Sequence, residues 1–351
     1  MIVKSRGFIF SLSTGIVMSL LATSLQAGTT TVIINDSWAD GDLAATGTGG
    51  ELDSSWWTSS SSSADEVTTG AMGLVTGTSG RGLHTTFATQ SLLNVGDTIT
   101  ATYSFTTPAT VGTNRTTAFK VGLFDHLDRL TTNPANAGID PNDTRRDECC
   151  LDAAVNASSG SPNVAYGHGL FASNNPDASD SLSLPGFQLD MDVNPTTAAS
   201  ADLNFREHNV NTLTGTGRLM GTTGNFTNIS PSGPDAGYVF VGNSDYVGSF
   251  SVTKGTGDRF KLTATLEEPG GTIHTYTNFT SSTDAGDFGF LGFHANSNTF
   301  GSSNAADDAT TLTNDNGINF TNITVTFSTP EPTSFVLLLM GLPAIAGRRR
   351  S

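Results

Sequence analysis

Residues 97–107 read DTITATYSFTT. Ile99, Ala101, Tyr103 and Phe105 alternate with Thr98, Thr100, Thr102 and Ser104. Successive side chains of a strand point to opposite faces, so the pattern sets an apolar face against a hydroxyl face. This is the signature of an antiparallel strand covered on one side. Outward from it the same period recurs. Phe187–Val193 sets Phe187, Leu189, Met191 and Val193 against Gln188, Asp190 and Asp192, and Phe260–Glu267 alternates in the same way. Further strands are expected at Thr30–Asn35, Leu83–Gln90, Ala118–Phe124, Tyr238–Gly242, Thr272–Phe279, Phe288–Ala295 and Gly317–Phe327. In the last, Ile318 and Phe320 fall in one phase and Ile323, Val325 and Phe327 in the other, which a bulge near Thr321-Asn322 reconciles. Helical periodicity and βαβ spacing are missing. The expectation is therefore an all-β, antiparallel β-sandwich of jelly-roll type over residues 28–329, two sheets packed face to face.

Composition narrows the classes of function. Of 351 residues, 16 are Lys or Arg and 32 are Asp or Glu, a net charge of −16. A nucleic-acid partner needs a basic footprint, and this chain has none. An apolar share of 36% with 21 Phe is enough to bury a core, which argues against disorder.

The ends read as addresses. Lys4 and Arg6 precede the apolar run Phe8–Leu21, and Ser24-Leu25-Gln26-Ala27 offers a cleavage site, so residues 1–27 are expected to be a secretory signal helix removed by signal peptidase. At the other end, Pro330-Glu331-Pro332 is followed by TSFVLLLMGLPAIAG (333–347) and then Arg348-Arg349-Arg350. Fifteen residues of helix span about 22 Å, short of a hydrocarbon core of about 30 Å, so the stretch is a marginal membrane span. The arginines would hold its C-terminal end in the cytoplasm and leave residues 28–329 outside. Together the three parts resemble the PEP-CTERM sorting signal over residues 330–351. That resemblance implies handling by an exosortase-type transpeptidase in a Gram-negative cell that makes exopolysaccharide, with Pro330, Glu331, Pro332 and Arg348 to Arg350 as the sorting motif. It also implies an inner-membrane anchor before processing and the cell surface or extracellular matrix afterwards. The alternative is an ordinary C-terminal anchor. The two ends hold five basic and one acidic residue, so their removal takes the net charge from −16 to −20.

Such a surface attracts cations, and calcium is the expected one. Asp36, Asp40 and Asp42 around Gly41 are its candidate ligands, against the alternative of a plain acidic turn; Asp307, Asp308 and Asp315 are weaker ones. The stretch Asn35–Asp42, Trp56-Trp57 and the closing Gly317-Ile318-Asn319-Phe320 resemble the first strand, loop and last strand of concanavalin-like or laminin-G-like domains. In concanavalin-like glucanases the catalytic strand carries Glu-x-Asp-x-x-Glu. The matching stretch here is Asp190-Met191-Asp192-Val193-Asn194-Pro195, which lacks both glutamates. Gln188, Asp190 and Asp192 are then either a ligand face for sugar or calcium, or a solvated strand face.

Cys149 and Cys150 are adjacent, with Cα atoms about 3.8 Å apart, so a disulfide between them would close almost no loop. They are expected to form a local vicinal ring or to cross-link chains. None of the six histidines falls in a metal-binding spacing, and no nucleophile elbow or phosphate loop occurs. Residues 125–185 break the strand rhythm and are expected to be a long loop insertion. Three functions remain in view: a non-enzymatic surface or matrix protein associated with exopolysaccharide and biofilm, a calcium-dependent glycan-binding module, and a glycan-active hydrolase with an unfamiliar carboxylate arrangement.

Overall fold

The computed structural model describes residues 28–41, 52, 54, 56–58, 65–75, 81–112, 115–125, 185–193, 203–208, 220, 226–229, 238–280, 286–297, 299–301 and 317–330. By contacts the chain divides into two compact units, one of residues Met1–Thr29 with Thr329–Ser351 and the other of Thr30–Ser328. In the first, the described pair Thr29 and Thr329 is tied by a 2.9 Å bond from the Thr329 amide to the Thr29 carbonyl.

The second unit is all β among its described residues. Its strands are β1 (Thr30–Asp36), β2 (Trp56–Thr58), β3 (Asp65–Thr68), β4 (Ala71–Val75), β5 (Arg81–Ser91), β6 (Thr98–Thr106), β7 (Arg115–Phe124) and β8 (Gly186–Val193). They continue with β9 (Leu203–His208), β10 (Phe226–Asn228), β11 (Asp245–Lys254), β12 (Phe260–Glu267), β13 (Ile273–Phe279), β14 (Asp287–Ala295) and β15 (Gly317–Ser328). One sheet runs β13-β12-β11-β6-β15-β4-β3, with β1 added on β15; the other runs β10-β9-β8-β7-β14-β5-β2. Every pairing is antiparallel.

β6 behaves as its alternation requires. Ile99, Ala101, Tyr103 and Phe105 are buried, while Thr98, Thr100, Thr102, Ser104 and Thr106 are partly exposed on the other face. β11 and β12 repeat the pattern on either side of the register. β15 carries the expected irregularity: its register on β6 shifts between Phe320 and Asn322, which returns Ile323 and Val325 to the core side.

The sheets pack face to face through aromatic rings. Tyr103 of β6 meets Phe293 of β14 at 5.3 Å, Phe205 of β9 meets Phe250 of β11 at 5.9 Å, and Phe187 of β8 meets Phe260 of β12 at 5.8 Å. Edge-to-face, stacked and tilted pairs of this kind add to the area they bury. One glycine makes room for them. A Cβ on Gly248 would lie 2.2 Å from the Tyr103 ring, which covers that backbone directly across the register.

Two expectations fail here. Tyr238–Gly242 alternates but forms no strand. Its backbone is satisfied by side chains instead: Val241 N donates to Tyr246 Oη at 2.7 Å and Val239 N to Glu268 Oε1 at 3.1 Å. Tyr238 and Phe240 still enter the core. The second failure is β8, where the polar residues are not solvated. All eight of its residues are buried, Gln188, Asp190 and Asp192 included, because this sheet is covered on both faces there.

Candidate functional site

The polar face of β8 is the place where chemistry-bearing residues converge. Register sets the neighbours. Lys120 of β7 lies opposite Asp190 on one side and opposite His294 of β14 on the other. Gln188 lies opposite Gly122 and Arg206, and Asp190 opposite Asn204. Long side chains reach the diagonal neighbour across a sheet, so Arg206 spans to Asp190. Its Nε donates to Asp190 Oδ2, while Gln188 Nε2 donates to Asp190 Oδ1. Lys120 Nζ turns away and donates to the Met220 carbonyl at 2.7 Å.

Glycines allow the covering residue to come close. A Cβ on Gly292 would meet Met220 Sδ at 2.7 Å, and one on Gly122 would meet the Phe124 ring at 2.2 Å and Met220 Cε at 3.1 Å. Beside this cluster lies an aromatic layer. His84 stacks on Phe290 at 5.5 Å, and Phe290, His208 and Phe226 surround Phe124.

Burial is the main influence on these charges. It pushes the Lys120 ammonium below its usual range, with the Asp190 charge acting against it. It pushes the Asp190 carboxyl up, opposed by the Lys120 and Arg206 charges and by the hydrogen bonds from Gln188 and Arg206. Burial acts on His84 as well: its imidazole is lowered from 6.5 to about 3 and is neutral near pH 7. Both oxygens of Asp190 are held by donors, and the group is closed to solvent. This arrangement ties β8 to β9 through Asp190 and Arg206, and β7 to Met220 through Lys120. It does not present two carboxylates across an open cleft, as glycoside hydrolysis requires.

The acidic turn resolves differently. Asp36 Oδ1 accepts the Trp38 amide at 2.9 Å, and Oδ2 accepts Trp56 Nε1 at 2.6 Å. Each oxygen thus accepts one hydrogen bond from the protein itself, and Asp36 pins a corner of the sandwich. Trp38 is buried with φ at 52°, its ring 5.9 Å from Trp56, and its carbonyl accepts the amides of Gly41 at 3.1 Å and Gly70 at 2.7 Å. Asp40 is partly exposed, and Asp42 lies outside the described residues. Among the described residues no group of three or more His, Cys, Asp or Glu is placed to hold a metal ion.

Cys149, Cys150, Asp307, Asp308, Asp315, Glu331, Pro332 and Arg348 to Arg350 also lie outside the described residues, as do residues 126–184 of the expected loop; Pro330 is exposed. Among the described residues no helix is long and apolar enough to cross a membrane. Of the six histidines, His84, His208, His274 and His294 are buried on strands, and His126 and His168 fall outside the description.

Lys120 and Arg206 were not singled out from sequence. Lys120 was the legible one: it interrupts the apolar run AFKVGLF (118–124) in a chain with only four lysines, and a lysine in a buried strand demands a partner.

No family model matches the chain, and no curated protein matches it. Among solved structures it is similar to peanut lectin with a nine-residue peptide, at 8% identity and TM-score 0.40, covering 86% of this chain and 97% of that one. It is also similar to basic winged bean lectin with Tn-antigen, at 10% identity and TM-score 0.39, covering 87% and 100%. A third similarity is to alginate lyase Aly36B, at 9% identity and TM-score 0.36, covering 85% and 97%.

Proposed function

We propose that the chain is an exported, non-enzymatic surface or matrix protein, associated with exopolysaccharide, whose folded part serves as a binding scaffold. The observation that supports the non-enzymatic reading is the fate of Asp190. It stands where the glycan-hydrolase strand carries its first glutamate, and it is buried with both oxygens committed to Gln188 and Arg206. Delivery rests on the ends: the signal-like residues 1–27, and the Pro-Glu-Pro, apolar run and arginines of residues 330–351, which an exosortase-type transpeptidase would process. On this reading the terminal segments are membrane-inserted helices, and the sandwich is a concanavalin-like jelly roll.

The test is the intact mass of the protein recovered from each cell fraction, for the full chain and for one lacking residues 330–351. The expected result is an exported species that has lost residues 1–27 and the tail, with the shortened chain failing to reach the same location. Recovery of both chains in the same place with the same mature mass overturns the sorting reading. Release of reducing ends from a polysaccharide by the purified protein overturns the non-enzymatic one.

A further inference from the structure

The outward face of the β6 sheet carries an ordered array of hydroxyl groups. Register lines them up in rows across five strands. One row is Thr326, Thr100, Ser251, Thr263 and Thr277, from β15 through β6, β11 and β12 to β13. The next is Thr324, Thr102, Ser249, Thr265 and Thr275. Strands are spaced about 4.8 Å apart and alternate residues about 6.8 Å along a strand, so each row spans about 19 Å. Every member is at least partly exposed.

The hydroxyls hold one another in place. Thr100 Oγ1 lies 3.0 Å from Ser251 Oγ, Ser249 Oγ 2.6 Å from Thr265 Oγ1, and Thr98 Oγ1 donates to Thr253 Oγ1 at 2.9 Å. Each hydroxyl has one donor and two lone pairs, so one such bond leaves capacity for an outside partner. Threonine is β-branched and stiff at χ1, so ordering this surface against a partner costs little rotamer freedom.

The two rows contain no charged residue, in a chain whose net charge is −16. Lys261 and Glu267 stand in the flanking rows, and Asp245 one row further out. Exposed apolar side chains border the array: Val32 and Val247 at 42% and 39%, Ile273 and Phe279 at 60% and 53%. A polyanion would be repelled by the protein as a whole, and a polycation has no carboxylate within the rows to pair with. A partner that offers hydroxyls and C–H surface without charge matches both the array and its border.

We infer that this face is a docking surface for a neutral polysaccharide chain lying along the hydroxyl rows. The inference gives a substrate class to the exopolysaccharide association proposed above. It concerns binding by the folded protein, so it stands or falls separately from the sorting of the chain.

The experiment is affinity electrophoresis of the full-length chain in one mild detergent throughout. The gels contain galactomannan, dextran or xyloglucan as neutral polymers, or polygalacturonate as the anionic one. The expected result is retardation by at least one neutral polymer and none by polygalacturonate. Thr102→Glu and Ser251→Glu each weaken that retardation at least tenfold, while Asp258→Asn, in the exposed β11–β12 turn, leaves it unchanged. Melting curves check folding, and if a glutamate variant does not fold, the pair Thr102→Ala and Ser249→Ala is read in its place. Three results overturn the inference: no retardation by any of the neutral polymers, retardation that the folded variants leave intact, or a monomer–dimer equilibrium in sedimentation that Thr102→Glu abolishes without any polymer binding. The last assigns the face to a second copy of the chain. A failed mass test for tail processing would leave this binding result untouched.

Discussion

His84 shows how one buried side chain ties stability to pH. It lies on β5, stacked on Phe290, and burial lowers its imidazole to about 3 from 6.5. A depressed value in the folded state means that the stability present above pH 6.5 drains away as pH falls towards 3, because the unfolded chain takes up the proton first. Between pH 7 and pH 5 this one residue accounts for a loss of about 2 kcal/mol. Urea titrations at the two pH values check this. His84→Phe should lose less stability than the parent over that interval, by about 2 kcal/mol. Equal losses in the two proteins would remove His84 from the account. The carboxylates titrate in both proteins, so the difference isolates the histidine.

Strand β8 is the element where sequence reading met its limit, and the reason is physical. Alternation of Phe187, Leu189, Met191 and Val193 with Gln188, Asp190 and Asp192 looks like one wet face. It is dry because the sheet is covered there, and the burial of Asp190 is compensated by Arg206, sixteen residues away along the chain, and by the charge of Lys120 on the neighbouring strand. Such pairing over distance leaves no trace in a local period. β6 was legible because its second face is open, so polar identity and solvent coincide. The bulge in β15 was legible because a change of phase can be seen in the apolar positions themselves. Tyr238–Gly242 misled because alternation reports which side chains are buried, and nothing in it says where the backbone bonds go. β2, β3 and β10 have three or four residues, too few to show a period. For β8 the consequence can be measured. Asp190→Asn leaves a buried Lys120 and a partly buried Arg206 beside an amide, and breaking a buried pair in this way costs about 3–5 kcal/mol. Adding Lys120→Met should return part of that loss. Chemical denaturation of the single and double variants decides it, and an undiminished midpoint for Asp190→Asn would show that the cluster carries no stability.

At the scale of the molecule, connectivity matters more than any one contact. β15 is the last strand of the sandwich, yet it is an inner one: β6 lies along one side, and β4 and β1 share the other. Its residues Ile318, Phe320, Ile323 and Val325 are all in the core. A chain ending at residue 316 therefore loses the partner of three strands at once. It is expected to lack cooperative unfolding and to be cut throughout by a protease that leaves the full chain intact, as circular dichroism melts and limited proteolysis would show. A resistant fragment of the truncated chain would contradict this. Pairing of β1 with β15 joins segments nearly three hundred residues apart, and contacts so remote in sequence slow folding.

That late inner strand bears on how such a molecule could travel. The ribosome makes β15 after β1, β4 and β6, the strands it joins, so the sandwich cannot lock before that late segment is complete. If the chain is exported as proposed, what would enter a translocation pore is a pliable thread, with the keystone set on the far side.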